Sequence, residues 1–120
     1  PDTGGTQMMT ALIGPSRTKY MVMTGQKIDA ATALEWGAVD FVVEPDDLDA
    51  RALAVARDIA AKPPINLAMA KEMINLMHGA TIRTGTRAEL YAQSYLFKTD
   101  DYHEARAAIR EKRAPQYKGK

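Results

Sequence analysis

The sequence predicts a mainly α-helical fold with one short β-strand. Apolar residues recur at helical spacing through most of the 120 residues, and glycines and prolines separate these periodic stretches. Only one segment is dense in β-branched and aromatic residues. These observations predict helices for most of the chain and a strand for a single segment.

Composition excludes several classes of protein. Sixteen basic and fifteen acidic residues give a net charge of +1, which argues against nucleic-acid binding as the main role. The absence of cysteine excludes disulfides and Cys-ligated metals and fits a cytoplasmic location. No apolar run approaches the roughly 20 residues of a membrane-spanning helix. The chain begins with Pro1 rather than Met, so we expect it to be part of a longer protein.

Three helices are predicted in the first third of the chain. Their expected ranges are 6–13, 16–23 and 29–37. Gly14-Pro15 ends the first helix, and Ser16 caps the second. Asp29 caps the third, which ends at Gly37 in the left-handed conformation.

Residues 38–44, with the sequence AVDFVVE, form the predicted strand between Gly37 and Pro45. A single strand cannot satisfy its own backbone donors and acceptors, and no second strand is visible in the chain. We therefore expect another chain or a missing upstream segment to pair with it. The alternative is that the segment is an extended connector.

The remaining residues predict four helices. Their expected ranges are 45–61, 65–78, 84–97 and 101–112. The second of them is apolar over more than half its circumference, so we expect it to be packed between other elements. Asp101 and Glu104 have the spacing of a capping box at the start of the last helix. His78 is expected to interact with a helix dipole and His103 to be exposed, so no metal site is predicted.

The first seven residues, PDTGGTQ, form the first candidate site. Gly4 and Gly5 allow a ligand to approach backbone amides closely, and the amides of a helix N-terminus attract negative charge. Asp2 lies beside this positive helix end. It is either a helix cap or an acid/base group directed into a cleft.

Cations are concentrated near the C-terminus and form the second candidate site. They are Arg106, Arg110, Lys112, Arg113, Lys118 and Lys120. Such a run is either a solvated face or a site for a polyanionic small molecule, in which Tyr117 covers a base or a pantetheine-like chain.

The order of motifs resembles the enoyl-CoA hydratase/isomerase (crotonase) superfamily over the whole chain. The motifs are Pro1-Asp2-x-Gly4-Gly5-Thr6, Met23-Thr24-Gly25-x-x-Ile28-x-Ala30-x-x-Ala33-x-x-Trp36-Gly37-Ala38-Val39-x-x-Val42-Val43, Ala70-Lys71-Glu72, Phe97-x-Thr99-Asp100-Asp101 and Glu111-Lys112-Arg113-x-Pro115. Asp2, Trp36-Gly37 and the Lys-Arg-x-Pro-Gln ending are most similar to acyl-CoA isomerases of the phenylacetate pathway.

The resemblance implies the C-terminal helical part of a crotonase-like ββα superhelix. Residues 1–62 would be the end of the core, and residues 63–120 a helical trimerisation and lid region. A missing N-terminal half would supply the oxyanion hole that holds a thioester enolate. Homotrimers, often doubled to hexamers, are implied for the assembly.

Site residues follow from the same resemblance. Asp2 matches an acid/base aspartate of several subfamilies. Lys112 matches a residue that reaches the 3′-phosphate of coenzyme A (CoA), with Arg113 beside it. The acyl-CoA thioester is the substrate, and no separate cofactor is implied. Ala105, Gln93 and Ile109 depart from the family pattern, which leaves the acyl chain undetermined.

Two other functions remain open. The 120 residues alone could form a non-catalytic helical oligomerisation module, or the parent protein could be a hydrolase of this superfamily. Hydration, isomerisation, hydrolysis and decarboxylation share one enolate scaffold, and the sequence does not separate them.

Overall fold

A computed structural model of the chain describes residues 5–77 and 79–120. Within these residues the chain forms six α-helices and one short 3-10 turn. They are α1 (Gly5–Thr24), α2 (Ala30–Trp36), the turn Pro45–Asp47, α3 (Leu48–Ala60), α4 (Pro64–Leu76), α5 (Ile82–Leu96) and α6 (Asp100–Glu111). The mainly helical prediction is confirmed. The chain divides into two compact units, one ending at Asp49 and the other comprising Ala50–Lys120.

The predicted break at Gly14 lies inside α1. Gly14 has φ 81° and ψ 163°, so the helix consists of two segments that meet at this residue. A positive φ is accessible to glycine at little cost, and Pro15 cannot donate a backbone hydrogen bond. The Thr18 hydroxyl donates to the Gly14 carbonyl over 2.9 Å and satisfies an acceptor at the break.

Both predicted caps of α2 are confirmed. The Asp29 carboxylate accepts a hydrogen bond from the Thr32 amide at 2.8 Å, and hydrogen bonds from the Thr32 side chain and amide lower the pKa of Asp29. Gly37 ends the helix in the left-handed conformation, with φ 78° and ψ 20°. Trp36 contacts α1 through the Tyr20 ring at 6.4 Å and the Arg17 guanidinium at 5.2 Å, which fixes α2 against α1.

The predicted strand at residues 38–44 is wrong for this structure. No β-strand occurs anywhere in residues 5–77 and 79–120, and the segment connects α2 to the 3-10 turn without regular structure. A β-strand is defined by its ladder of hydrogen bonds to a neighbour, and the described chain offers no neighbouring strand. The alternative prediction, that residues 38–44 are an extended connector, therefore fits this structure.

Threonine side chains set the starts of the last two helices. Thr81 caps α5 by accepting from the Thr84 amide, and Thr99 caps α6 by accepting from the Tyr102 amide at 3.2 Å. The predicted capping box of Asp101 and Glu104 is wrong. Helix α6 begins one residue before Asp101, and both acidic side chains bind the C-terminal tail instead.

Helices α4 and α5 pack against each other and border an apolar groove of about 750 Å³. Gly85 leaves room for the Met77 side chain, whose sulfur would contact a Cβ atom at that position. Part of the apolar surface of α4 stays exposed within the described residues: Ile74 is 68% exposed, whereas Met69 and Met73 are half-buried. The expectation that this helix is packed between other elements is not met within the described residues.

Candidate functional site

The predicted loop site lies mostly outside the described residues. Asp2 and Gly4 belong to that part, and their roles stay predictions. Gly5 is the first residue of α1, and a Cβ atom built on it would meet no atom within 4 Å. Packing within the described chain therefore does not require a glycine at position 5.

Lys112 ends α6 in an unusual backbone conformation. Its φ of 55° and ψ of 40° are left-handed, and it is the sole non-glycine residue with positive φ in the described chain. Its backbone amide donates to the Ala108 and Ile109 carbonyls and closes the last helical turn. The side chain is exposed, and no carboxylate among the described residues lies within salt-bridge distance of its ammonium.

Arg113, the second predicted CoA contact, is held by two carboxylates. Its Nη1 and Nη2 atoms donate to the two Glu104 oxygens at 2.5 and 2.9 Å, and its Nε donates to Glu111 at 2.7 Å. The Glu104 carboxylate also accepts from the Gln116 amide at 2.7 Å. These hydrogen bonds lower the pKa of Glu104 from 4.5 to about 2 and raise that of Arg113.

Asp101 anchors the end of the tail. Its side chain accepts from the backbone amides of Lys118 at 2.6 Å and Gly119 at 2.9 Å. Its own amide donates to the Lys120 carbonyl at 3.2 Å. Asp101 is 2% exposed, so these bonds satisfy a buried carboxyl group. A polar groove of about 610 Å³ lies along this junction, and Lys112 does not line it.

The structure separates the predicted cluster of cations into two groups. Arg113 is bound to carboxylates, and Arg106 donates to the Tyr102 hydroxyl at 3.2 Å and lies over its ring. All six side chains are exposed, and the described residues form no salt bridge with the other four: Arg110, Lys112, Lys118 and Lys120. Lys118 faces Glu104 and helps to lower the pKa of that carboxyl, which leaves Arg110, Lys112 and Lys120 as the cations open to an anionic ligand. His103 is exposed, as predicted.

Sequence analysis assigned Asp101 and Glu104 to a capping box and missed that they bind the tail. Their carboxylates pair with groups nine to eighteen positions further along the chain. The spacing of the two acidic residues favours a capping box. Spacing within one helical turn carries no information about partners this far away in the sequence. One signal in the sequence does point to these bonds. The start of the last helix is acidic, and the cationic tail that follows the helix is long enough to fold back onto it.

The described residues contain no metal-binding cluster and no membrane-spanning helix. No group of three or more His, Asp or Glu side chains there is arranged to hold a metal ion. None of the described helices is long and apolar enough to cross a membrane.

Comparisons with known proteins agree with this architecture. The family model for enoyl-CoA hydratase/isomerase matches residues 1–120. The chain belongs to the enoyl-CoA hydratase/isomerase family. A crystal structure of an enoyl-CoA hydratase from Bacillus anthracis superposes with a TM-score of 0.95 at 39% identity, covering 100% of this chain and 46% of that one. The chain thus has the fold of the helical C-terminal part of crotonase-fold enzymes.

Relatives in this family carry more than one name. A probable enoyl-CoA hydratase of Mycobacterium leprae is 40% identical over 117 residues, which is 98% of this chain and 46% of the relative. The 1,2-epoxyphenylacetyl-CoA isomerase of Escherichia coli is 32% identical over 120 residues, or 100% of this chain and 46% of the isomerase. The chain therefore spans about half the length of the curated relatives it matches, and family membership leaves the reaction open.

Proposed function

We propose that this chain is part of an acyl-CoA-processing enzyme that acts through a thioester enolate. An N-terminal half, of the kind implied by the greater length of the relatives, would supply the oxyanion hole. The substrate would be an acyl-CoA thioester, and the enzyme would work in the cytoplasm without a separate cofactor. Lys112 would contact the 3′-phosphate of CoA, and Asp2 would transfer the proton.

The conformation of Lys112 is the observation that carries the CoA contact. A lysine in the left-handed region costs about 1–2 kcal/mol relative to a right-handed one, and glycine would remove the cost. Retaining a strained lysine at an exposed helix end is typical of a residue needed for its side chain. An ammonium with no carboxylate partner in the described chain is suited to a phosphate.

Asp2 is proposed as the acid/base group on chemical grounds. A carboxylate in an apolar acyl pocket has a raised pKa, because burial disfavours its charged form. Its pKa would then approach the range in which a carboxyl group exchanges protons with an enolate. The position of Asp2 in a loop with two glycines, beside a helix start, is consistent with this role.

Exposed apolar faces support the proposed assembly. Within the described residues Leu90 and Ile74 are each 68% exposed, and Tyr91 is 70% exposed. Apolar surface of this extent favours contact with other protein. We propose that the N-terminal half and neighbouring subunits of a trimer, or of a dimer of trimers, cover these faces.

Asp2→Asn in the intact protein that carries this chain tests the proposed chemistry. Turnover of a panel of enoyl-CoA, epoxyacyl-CoA and saturated acyl-CoA thioesters should fall about 10²–10⁴-fold, the usual contribution of a general acid or base. Affinity for CoA should stay within about twofold. Asp58→Asn, on the exposed surface of α3, is the matched control and should keep full turnover. Wild-type turnover in Asp2→Asn would leave Asp2 as a helix cap.

A second candidate is a non-catalytic helical oligomerisation module. The same exposed apolar faces favour it, because they need protein partners whether or not chemistry takes place. Oligomerisation with CoA binding and no turnover of any thioester in the panel would support this candidate. Release of free CoA from a saturated thioester would instead identify a hydrolase.

A further inference from the structure

Hydrogen bonds of the residues before and after Lys112 stabilise the turn at this residue. The Arg113 amide donates to the Ala108 carbonyl at 3.0 Å, while the Arg113 Nε reaches back to Glu111 at 2.7 Å. The residues that flank Lys112 are therefore bound to each other and to the last turn of α6. This bonding offsets the cost of a left-handed lysine.

Glu104 connects this turn to the body of α6. Both of its oxygens accept from Arg113, and one also accepts from the Gln116 amide. A guanidinium that meets a carboxylate through two parallel hydrogen bonds has a fixed orientation, which a lysine in its place would not reproduce. The direction in which the chain leaves Lys112 thus depends on a carboxylate two turns earlier in the helix.

Four of the five N–H groups of Arg113 donate to protein acceptors in this arrangement. Its Nε, Nη1 and Nη2 atoms all donate to protein acceptors, and Nη1 additionally reaches the Ala114 carbonyl at 3.2 Å. Lys112, next to it, has an exposed ammonium with no carboxylate partner among the described residues. The two neighbouring cations therefore have different tasks.

We propose that Glu104 is a positioning residue, which binds Arg113 and thereby holds Lys112 in the conformation that presents its ammonium to the 3′-phosphate of CoA. This rests on the proposed function of Lys112. Arg113 then acts through the backbone of its neighbour rather than on CoA itself. Asp101 completes the arrangement by binding the amides of Lys118 and Gly119, which keeps the rest of the tail folded along α6.

The test compares dissociation constants for CoA and 3′-dephospho-CoA by calorimetry on the intact protein that carries this chain. Their ratio isolates the 3′-phosphate, because damage to the fold weakens both ligands alike. A charge-assisted contact corresponds to a wild-type preference for CoA of about tenfold or more. Lys112→Ala should bring the ratio close to one. Glu104→Gln should lower the ratio at least threefold while affinity for dephospho-CoA is unchanged.

Matched variants separate positioning from charge and from folding. Glu72→Gln makes the same change on exposed α4 surface and should leave the ratio at its wild-type value. Glu104→Asp keeps the carboxylate and should restore part of the preference. Arg113→Lys keeps the charge but lacks the paired donors, so it should lower the ratio like Glu104→Gln. Adding Glu104→Gln to Lys112→Ala should change the ratio no further.

The possible failures are distinguishable. An unchanged ratio in Lys112→Ala would overturn the phosphate contact itself, and the positioning role with it. A lowered ratio in Lys112→Ala with wild-type ratios in Glu104→Gln and Arg113→Lys would overturn only the positioning role. Equal losses of affinity for both ligands in Glu104→Gln would also overturn it, because they would make Glu104 a support of the fold alone. If Glu104→Gln does not fold, Arg113→Lys decides.

Discussion

At the scale of single residues, Lys112 combines a strained backbone with an exposed charge. Replacing it with glycine should raise the free energy of unfolding by about 0.5–1 kcal/mol, since glycine adopts a positive φ without steric cost but loses more entropy on folding. Affinity for CoA should fall at the same time. Denaturant unfolding and calorimetry on one preparation measure both quantities.

Lys112→Ala is the control for this prediction. Alanine keeps the Cβ atom, so it should lose CoA affinity without gaining stability. A glycine variant that is less stable than the wild type would mean that the lysine side chain supports the fold, and the case for functional strain at this residue would be lost.

Glu104 gives a prediction about pH. Its pKa is lowered from 4.5 to about 2 by hydrogen bonds from Arg113 and Gln116, with Arg113 and Lys118 as the facing charges. A lowered pKa means that the pair stabilises the fold fully above pH 4.5 and loses its effect as the pH falls through 2. Arg113 stays charged over this range.

The measurement is the difference in unfolding free energy between wild type and Glu104→Gln across pH 7 to 2. The difference should be constant from neutral pH down to about 4.5 and then shrink with further acidification. A difference that grows towards acid pH would contradict the assignment of the ion pair.

At the scale of elements, local signals predict helix ends where the partner is close in sequence. Asp29 and Gly37 were predicted from their residue types because a cap bonds groups within one turn. The cap at the start of α6 was not predicted correctly. The spacing of Asp101 and Glu104 fits a capping box, and Thr99 fits an N-cap equally well. Their carboxylates bind the tail instead.

Thr99 should therefore carry the capping energy of α6. Thr99→Ala should lower the free energy of unfolding by about 1 kcal/mol, the usual cost of a lost N-cap. Thr86→Ala makes the same change inside α5, where the hydroxyl donates to the Ile82 carbonyl, and should stay within about 0.5 kcal/mol of wild type. Equal stabilities of the two variants, measured by urea unfolding, would remove Thr99 from the cap.

The segment 38–44 shows that a local sequence does not determine whether a strand forms. Its composition predicts a strand, yet a strand exists only where a neighbour forms the other side of the ladder. None of the described residues provides that neighbour, and the segment is irregular. The composition of the segment favours a strand, whereas strand formation also requires a neighbouring strand.

At the scale of the whole molecule, the order of motifs predicted the family, and the whole-chain match confirms it. The relatives include an enoyl-CoA hydratase and an epoxyacyl-CoA isomerase, so similarity at this level does not select the reaction. The arrangement of the tail could not be predicted, because the hydrogen bonds that fix it join residues 104 and 113 and residues 101 and 118.

We propose that this chain serves an enzyme that recognises CoA thioesters through their nucleotide. The most direct test is the kcat/KM of the intact protein for a short trans-2-enoyl-CoA and for the same acyl group on pantetheine, which lacks the nucleotide. We predict turnover of the CoA thioester and a kcat/KM about 100-fold lower for the pantetheine thioester, as expected when phosphate contacts are removed. Equal values for the two thioesters would contradict the claim.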